Sequence, residues 1–285
     1  MKRIDAITES WEDYELLDCG DGRKLERFGS VILDRPDPQA LWKKSNKELW
    51  VQAQAQFLWV EKGERWKIEK DIPETWNISW ESMTLELSFK GFKHVGVFPE
   101  HAHQWDLLQS IGKKNPDLRM LNLFGYTGAA SVAAALAGMK VTHVDASKQT
   151  IETVKENAAL SDVKGDAIRT IIEDTLKYVK RLIARGEQFE VIVMDPPAFG
   201  RGPKGEVWKI EESLADLMAL LPELVSPSAQ LVLLNGYAAG YSARTFAELL
   251  HGVLPKGTVT YGDVGIEQIG SDRILSTGIY AAWRA

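Results

Sequence analysis

The chain has 285 residues, 45% of them hydrophobic, with Trp 10, Phe 9 and Tyr 7, enough to bury a sizeable core and to form one domain of ordinary size beside a smaller one. Lys and Arg number 34 against 40 Asp and Glu, a net charge of −6, the opposite of the basic excess usual in proteins that hold long duplex nucleic acid. The lone cysteine, Cys19, excludes an intramolecular disulfide and a multi-cysteine zinc site.

Polar and acidic residues follow 1–3 (MKR), and no run approaches the ~20 apolar residues of a membrane span, so a cytoplasmic protein without membrane insertion is expected. Residues 1–95 read as a β-rich N-terminal domain. Short period-two segments such as 30–33 (SVIL) and 83–89 (MTLELSF) alternate with turns at 18–22 (DCGDG) and 35–38 (RPDP). Seven of the ten tryptophans lie there: Trp11, Trp42, Trp50, Trp59, Trp66, Trp76 and Trp80. Two basic clusters, Arg23, Lys24 and Arg27, then Lys43, Lys44 and Lys47, read first as solvated faces, with a local nucleic-acid patch as the alternative. From 96 to 285 strands at 118–124, 140–145, 167–172, 190–195 and 230–235 alternate with helices near 128–138, 147–160, 173–186, 208–225 and 242–254. Repeated β-α units of this length predict an α/β fold, a Rossmann-like doubly wound, mostly parallel sheet.

In such a sheet ligands sit at the carboxyl ends of the strands. The first strand runs into 124–128 (FGYTG), where Gly125 and Gly128 bracket Tyr126 and Thr127 and let the backbone approach a ligand beside the start of a helix. Two glycines instead of the three of a dinucleotide fingerprint favour a ligand without a pyrophosphate. Asp145 ends the second strand 20 residues after Gly125, a spacing at which a carboxylate accepts from ribose hydroxyls; the alternative is a cap for the helix starting near Ser147. Glu173 and Asp174 follow the third strand, where an acid meets an adenine amine or simply complements a helix dipole. Asn157, near a helix end, is equally a candidate C-terminal cap.

After the fourth strand comes 195–202 (DPPAFGRG). Pro196 and Pro197 remove two donors and fix their carbonyls, forming with Asp195 an acceptor array suited to a nitrogen-bearing group. Phe199 is placed to stack on a planar base and Arg201 to meet a phosphate, against the plainer reading of a tight connection with a buried Phe. His94, His101 and His103 lie close in sequence but lack a cysteine or a spaced carboxylate, so no metal is expected.

Taken in order, Phe124 to Gly128, Asp145, Ala146 and Ser147, Asn157 to Leu160, Glu173 and Asp174, and Asp195 to Phe199 resemble the class I S-adenosylmethionine-dependent methyltransferases, above all the group related to bacterial large-subunit ribosomal RNA methyltransferases. The resemblance covers roughly residues 90 to 283. It implies S-adenosyl-L-methionine as cofactor, with the glycine turn against its methionine part, Asp145 on the ribose, Glu173 or Asp174 near the adenine, and 195–197 at the junction with the acceptor. The segment 93–100 (KHVGVFPE) is similar to the family's linker into the catalytic domain, which adds Phe98 and Glu100 as cofactor contacts.

Family likeness also supplies RNA as the expected partner, with a role in substrate recognition for the N-terminal domain. The atom methylated is narrowed by chemistry. Carbon-5 of a pyrimidine requires a thiolate, and 233–240 (LLNGYAAG) offers none where carbon-5 members of the family carry one. Amino methyltransferases place an aromatic directly after the second proline, whereas Ala198 intervenes here before Phe199. A ring nitrogen needs mainly alignment with the methyl group, so nitrogen is favoured. An NAD(P)-dependent oxidoreductase, a methyltransferase of proteins or small molecules, and a non-catalytic scaffold stand as alternatives, and the oligomeric state is left open.

Overall fold

The computed structural model describes residues 1–60, 63–68, 72–89, 93–237 and 240–285. Two compact units are formed: Met1–Ala6, His103–Val264 and Gly278–Ala285 make one, Ile7–Ala102 and Gly265–Thr277 the other. The sequence reading expects one cut near residue 95; the chain instead passes between the units near residues 6, 102, 264 and 277.

The larger unit carries the repeated β-α pattern. Its strands are β1 (Arg119–Leu123), β2 (Lys140–Asp145), β3 (Ile168–Ile172), β4 (Val191–Met194), β5 (Leu231–Gly236), β6 (Thr258–Glu267) and β7 (Ile274–Arg284). The helices are α1 (Ala102–Lys114), α2 (Ala129–Leu136), α3 (Lys148–Leu160), α4 (Thr175–Ala184), α5 (Ile210–Leu224) and α6 (Ala243–Val253). Across the sheet the order is Lys2–Arg3, β6, β7, β5, β4, β1, β2, β3. Strands β1 to β5 pair in parallel, and β7 lies antiparallel to β5. Sequence patterning identifies β1 to β5 and α2 to α6 but not α1, β6 or β7.

The central strands are apolar on both faces because helices cover both. Leu121, Leu123, Ile192, Met194, Val232 and Leu234 pack with Tyr178, Leu217, Leu221 and Phe246 of α4, α5 and α6. Their sequence neighbours Met120, Val191, Val193, Leu231 and Leu233 point the other way, toward Leu108 of α1 and Ala134 of α2. Each large aliphatic side chain so buried contributes about 1.5–3 kcal/mol. Since β1, β2 and β3 step one way across the sheet and β4 returns to the other side of β1, a crevice opens at the carboxyl ends of β1 and β4.

In the smaller unit a five-stranded sheet runs Tyr14–Gly20, Arg23–Phe28, Val31–Pro36, Ala55–Val60, Gly63–Ile68, beside the hairpin of Thr75–Trp80 and Met83–Ser88. The first pair is joined at Asp21 and Gly22, both left-handed (φ 51 and 73), the backbone that a two-residue hairpin turn requires. The first basic cluster is not a surface patch. Arg23 pairs with Asp34, Arg27 with Glu15 at 2.7 Å, and Lys24 is buried 3.5 Å from both Glu26 and Asp37. Glu26, fully buried, also accepts two bonds of 2.8 Å from Arg35 and one of 2.9 Å from the Tyr14 hydroxyl.

Asp18, also fully buried, organises the second basic segment. Its carboxylate accepts from Cys19 N (2.9 Å), Ser45 N (3.0 Å), Asn46 N (3.1 Å) and Trp50 Nε1 (2.8 Å). Burial alone raises its pKa, but the donors of Trp50, Asn46 and Ser45 outweigh that and hold it below the ordinary 3.8. Asp18→Ala is expected to lower the unfolding free energy by about 2–4 kcal/mol, because several N–H groups lose their acceptor together. As the folded-state pKa is depressed, the wild-type advantage is whole above pH ~4 and shrinks as pH falls further. Urea titrations of both proteins at pH 7 and pH 3, followed by tryptophan fluorescence, measure both effects.

Candidate active site

Where β1 ends, the chain enters a turn with Phe124 (φ 57), Tyr126 (φ 52) and Gly128 (φ 88) all in the left-handed region. For the two side-chain-bearing residues this costs roughly 1–3 kcal/mol each, so the surroundings must hold them there. Four hydrogen bonds do so: Gly125 N to Val144 O (3.1 Å), Gly128 N to Gly125 O (3.1 Å), Tyr126 N to Asp145 Oδ2 (2.9 Å) and Asn157 Nδ2 to Thr127 O (2.8 Å). Asn157 is therefore no helix cap; it is fully buried within α3 and clasps the turn. Neither glycine tolerates a side chain. A Cβ on Gly125 would stand 2.3–2.9 Å from ring atoms of His143, and one on Gly128 2.9–3.3 Å from Val154.

Asp145 closes the next strand and joins turn to helix. Oδ1 accepts from Ser147 N and Thr150 Oγ1, each at 2.9 Å, while Oδ2 holds Tyr126 N. Burial raises its pKa, opposed by the hydrogen bonds from Ser147, Thr150, Tyr126 and Ala146. The helix cap itself is Ser147, whose hydroxyl accepts from Thr150 N at 3.3 Å.

At the end of β3 the two acids part company. Asp174 caps α4, accepting from Lys177 N at 3.0 Å. Glu173 pairs with Arg181 at 2.8 Å, and that hydrogen bond holds its carboxyl below the ordinary value. Phe98 and Glu100 belong to the smaller unit. There the Phe98 ring lies 4.8 Å from His94 and 6.0 Å from His101, and the buried Glu100 carboxylate acts electrostatically on Lys24, Arg35 and Lys93. Burial pushes the His94 pKa down to about 2.

Beyond β4, Asp195 N donates to Leu123 O (3.3 Å), so the carboxylate-diproline segment starts alongside the glycine turn. Pro196 is buried and Pro197 exposed. The strands Phe199–Arg201 and Val207–Lys209 then form a hairpin whose two faces differ. Inward, Trp208 is 4% exposed, its ring 4.7 Å from Phe124, and its Nε1 donates to Pro197 O at 2.7 Å. Phe199, 55% exposed, lies outward with the Arg201 guanidinium 6.0 Å from its ring centre. A buried Phe199 would have marked a merely structural connection; the buried aromatic is instead Trp208.

Trp208 has no place in the sequence reading; its signal was a tryptophan 13 residues after Asp195 in a polar stretch. Also missed is the pairing of Gln104 with Asn235 near the end of β5, two buried side-chain amides exchanging bonds of 2.7 and 2.8 Å. The segment 233–240 carries no cysteine, and its residues 238 and 239 lie outside the described residues. Cys19 belongs to the smaller unit, fully buried, with its thiol pushed up to about 11 by burial.

No helix among the described residues is long and apolar enough to cross a membrane. Residues 104–216 match the family model described as conserved hypothetical protein 95. Among curated relatives, the ribosomal RNA large subunit methyltransferase K/L of Shewanella sp. (strain MR-4) is 34% identical over 154 residues, 53% of this chain and 21% of that protein. The match thus spans about a fifth of the relative's length. The protein SMU.776 complexed with SAH shares the fold, with a TM-score of 0.75 at 17% identity over 95% of this chain and 75% of that one. The SAM-dependent methyltransferase of Agrobacterium tumefaciens superimposes with a TM-score of 0.94 at 36% identity, covering 99% of this chain and 95% of that one. With that identity sustained from end to end, on a sheet whose crevice carries the glycine turn, Asp145 and the Asp195 segment, the chain belongs to the SAM-dependent methyltransferases.

Proposed function

We propose that this methyltransferase acts on RNA, in the large ribosomal subunit, and transfers the methyl group to a nitrogen of a base. The observation that carries this reading is the Asp195 to Pro197 segment emerging beside the cofactor turn and continuing into a hairpin that displays Phe199 and Arg201 outward. The curated relatives named for large-subunit ribosomal RNA supply the substrate class. Membership of the methyltransferase family removes the oxidoreductase and scaffold alternatives.

The residues of the turn fit S-adenosyl-L-methionine. Gly125 and Gly128 let the turn pack down on His143 and Val154, and the methionine part lies against Phe124, Tyr126 and Thr127, with Ala146 and Ser147 flanking Asp145. Asp145 takes a ribose hydroxyl, and Glu173, with Asp174 committed to capping, is the acid left for the adenine edge. When bound, the sulfonium makes its methyl group an electrophile. Asp195 and the carbonyl of Pro196 accept from N–H groups of the base so that the lone pair of the acceptor nitrogen faces the methyl group, Phe199 stacks on the base, and Arg201 meets the backbone phosphate. A cysteine adduct on a pyrimidine ring is not available: Cys19 is buried and holds its proton at neutral pH.

Incubating the enzyme with methyl-labelled S-adenosylmethionine and separate pools of unmodified large-subunit ribosomal RNA, protein and small metabolites tests the reading. Label in ribosomal RNA, located on nitrogen by nucleoside mass spectrometry, is expected; label confined to protein or metabolites overturns it. Asp195→Ala should lower kcat ~100-fold and move the KM for S-adenosylmethionine less than ~3-fold, while Asp145→Ala should raise that KM more than ~10-fold. The opposite pattern in steady-state kinetics would reverse the two roles. Trp208→Phe retains an aromatic ring against Phe124 and deletes the bond to Pro197 O, so kcat should fall ~10-fold for a stability loss of about 1 kcal/mol in thermal melts.

A further inference from the structure

Beneath the 124–128 turn lies a buried polar chain of three side chains. Asn122 on β1, Ser131 on α2 and His143 on β2 are 2%, 0% and 0% exposed. Asn122 Nδ2 donates to Ser131 Oγ at 2.9 Å, and Ser131 Oγ lies 2.9 Å from His143 Nδ1. The arrangement in which Ser131 Oγ donates its own hydrogen to Nδ1 puts the ring proton on Nε2. That nitrogen makes no hydrogen bond. Its polar neighbour is the Tyr126 backbone, close enough to favour a protonated ring, although burial keeps the imidazole neutral with a pKa lowered to about 4.

The ring's other contact is Gly125, where a Cβ would fall 2.3 Å from Cε1 and 2.9 Å from Nε2. A buried ring nitrogen without a hydrogen bond of ordinary geometry thus lies against a turn that holds two left-handed side-chain-bearing residues, Phe124 and Tyr126.

We propose that His143 is a positioning residue for the cofactor turn, its Nε2–H closing a hydrogen bond onto the Tyr126 carbonyl when the methionine part of the methyl donor lies against residues 124–128. The inference rests on the assignment of that turn to the cofactor. His143 touches no reacting atom; it acts through the backbone of Tyr126.

Two-bond 1H–15N spectra of histidine-labelled wild-type protein, with five histidines to resolve, test it with S-adenosylhomocysteine as probe. The expected result is an Nε2–H tautomer for His143 whose Nε2 resonance shifts as the probe is added. An Nδ1–H tautomer, or an Nε2 signal indifferent to bound probe, overturns the proposal. In parallel, calorimetric affinity for the probe should stay within ~2-fold for His143→Gln, which carries an N–H to the Nε2 position, and weaken ~10-fold or more for His143→Asn, which carries one to the Nδ1 position. Equal weakening in both, in step with their melting temperatures, marks a merely structural residue and also overturns it; should neither variant fold, the wild-type spectra decide. Wild-type protein that does not bind the probe removes the cofactor assignment together with this inference, whereas binding with a silent Nε2 removes the inference alone.

Discussion

The bond from Tyr126 N–H to the Asp145 carboxylate is the contact on which the rest of the candidate site depends. It ties the end of β1 to the end of β2 and holds a non-glycine residue left-handed. It also fixes how much of the carboxylate is left for a ligand. An ionised acceptor in a half-buried setting forms stronger hydrogen bonds than a neutral one, which is what an unfavourable backbone needs in order to persist. Asn157 grips the same turn from α3, so two independent elements constrain five residues.

A second rigid connection runs across the crevice. Trp208 touches Phe124 through its ring and Pro197 through its N–H, so the glycine turn and the Asp195 segment are fixed to one side chain. The hairpin that carries Trp208 inward displays Phe199 and Arg201 outward by simple strand alternation. Anchoring and display are thus two faces of the same short element.

Much of this was legible in the chain. Apolar runs bounded by helical segments gave β1 to β5 in their observed places, because strands covered on both faces leave a dense hydrophobic signal. The glycine turn, Asp145 and the Asp195 segment stood out because each breaks such a run with a residue that backbone geometry or charge demands. Other features were hidden for physical reasons. Strands β6 and β7 mix polar and apolar positions without a clean period, and α1 begins among the histidines and glutamine of 101–104. The role of Asn157 depends on a partner 30 residues earlier, and that of Lys24 on a fold that turns a surface-type residue inward, neither of which local pattern carries.

The repeated passage of the chain between its units bears on how the protein is made. Residues Lys2–Arg3 lie beside β6, and Gly278–Ala285 complete the same unit, so its first and last residues share one sheet. The smaller unit in turn waits for Gly265–Thr277, where Ile269 N bonds to Leu16 O and Arg273 reaches Ser45. Neither unit is whole until the chain has been made beyond residue 265, and a nascent chain cut anywhere before that point lacks closing strands for both.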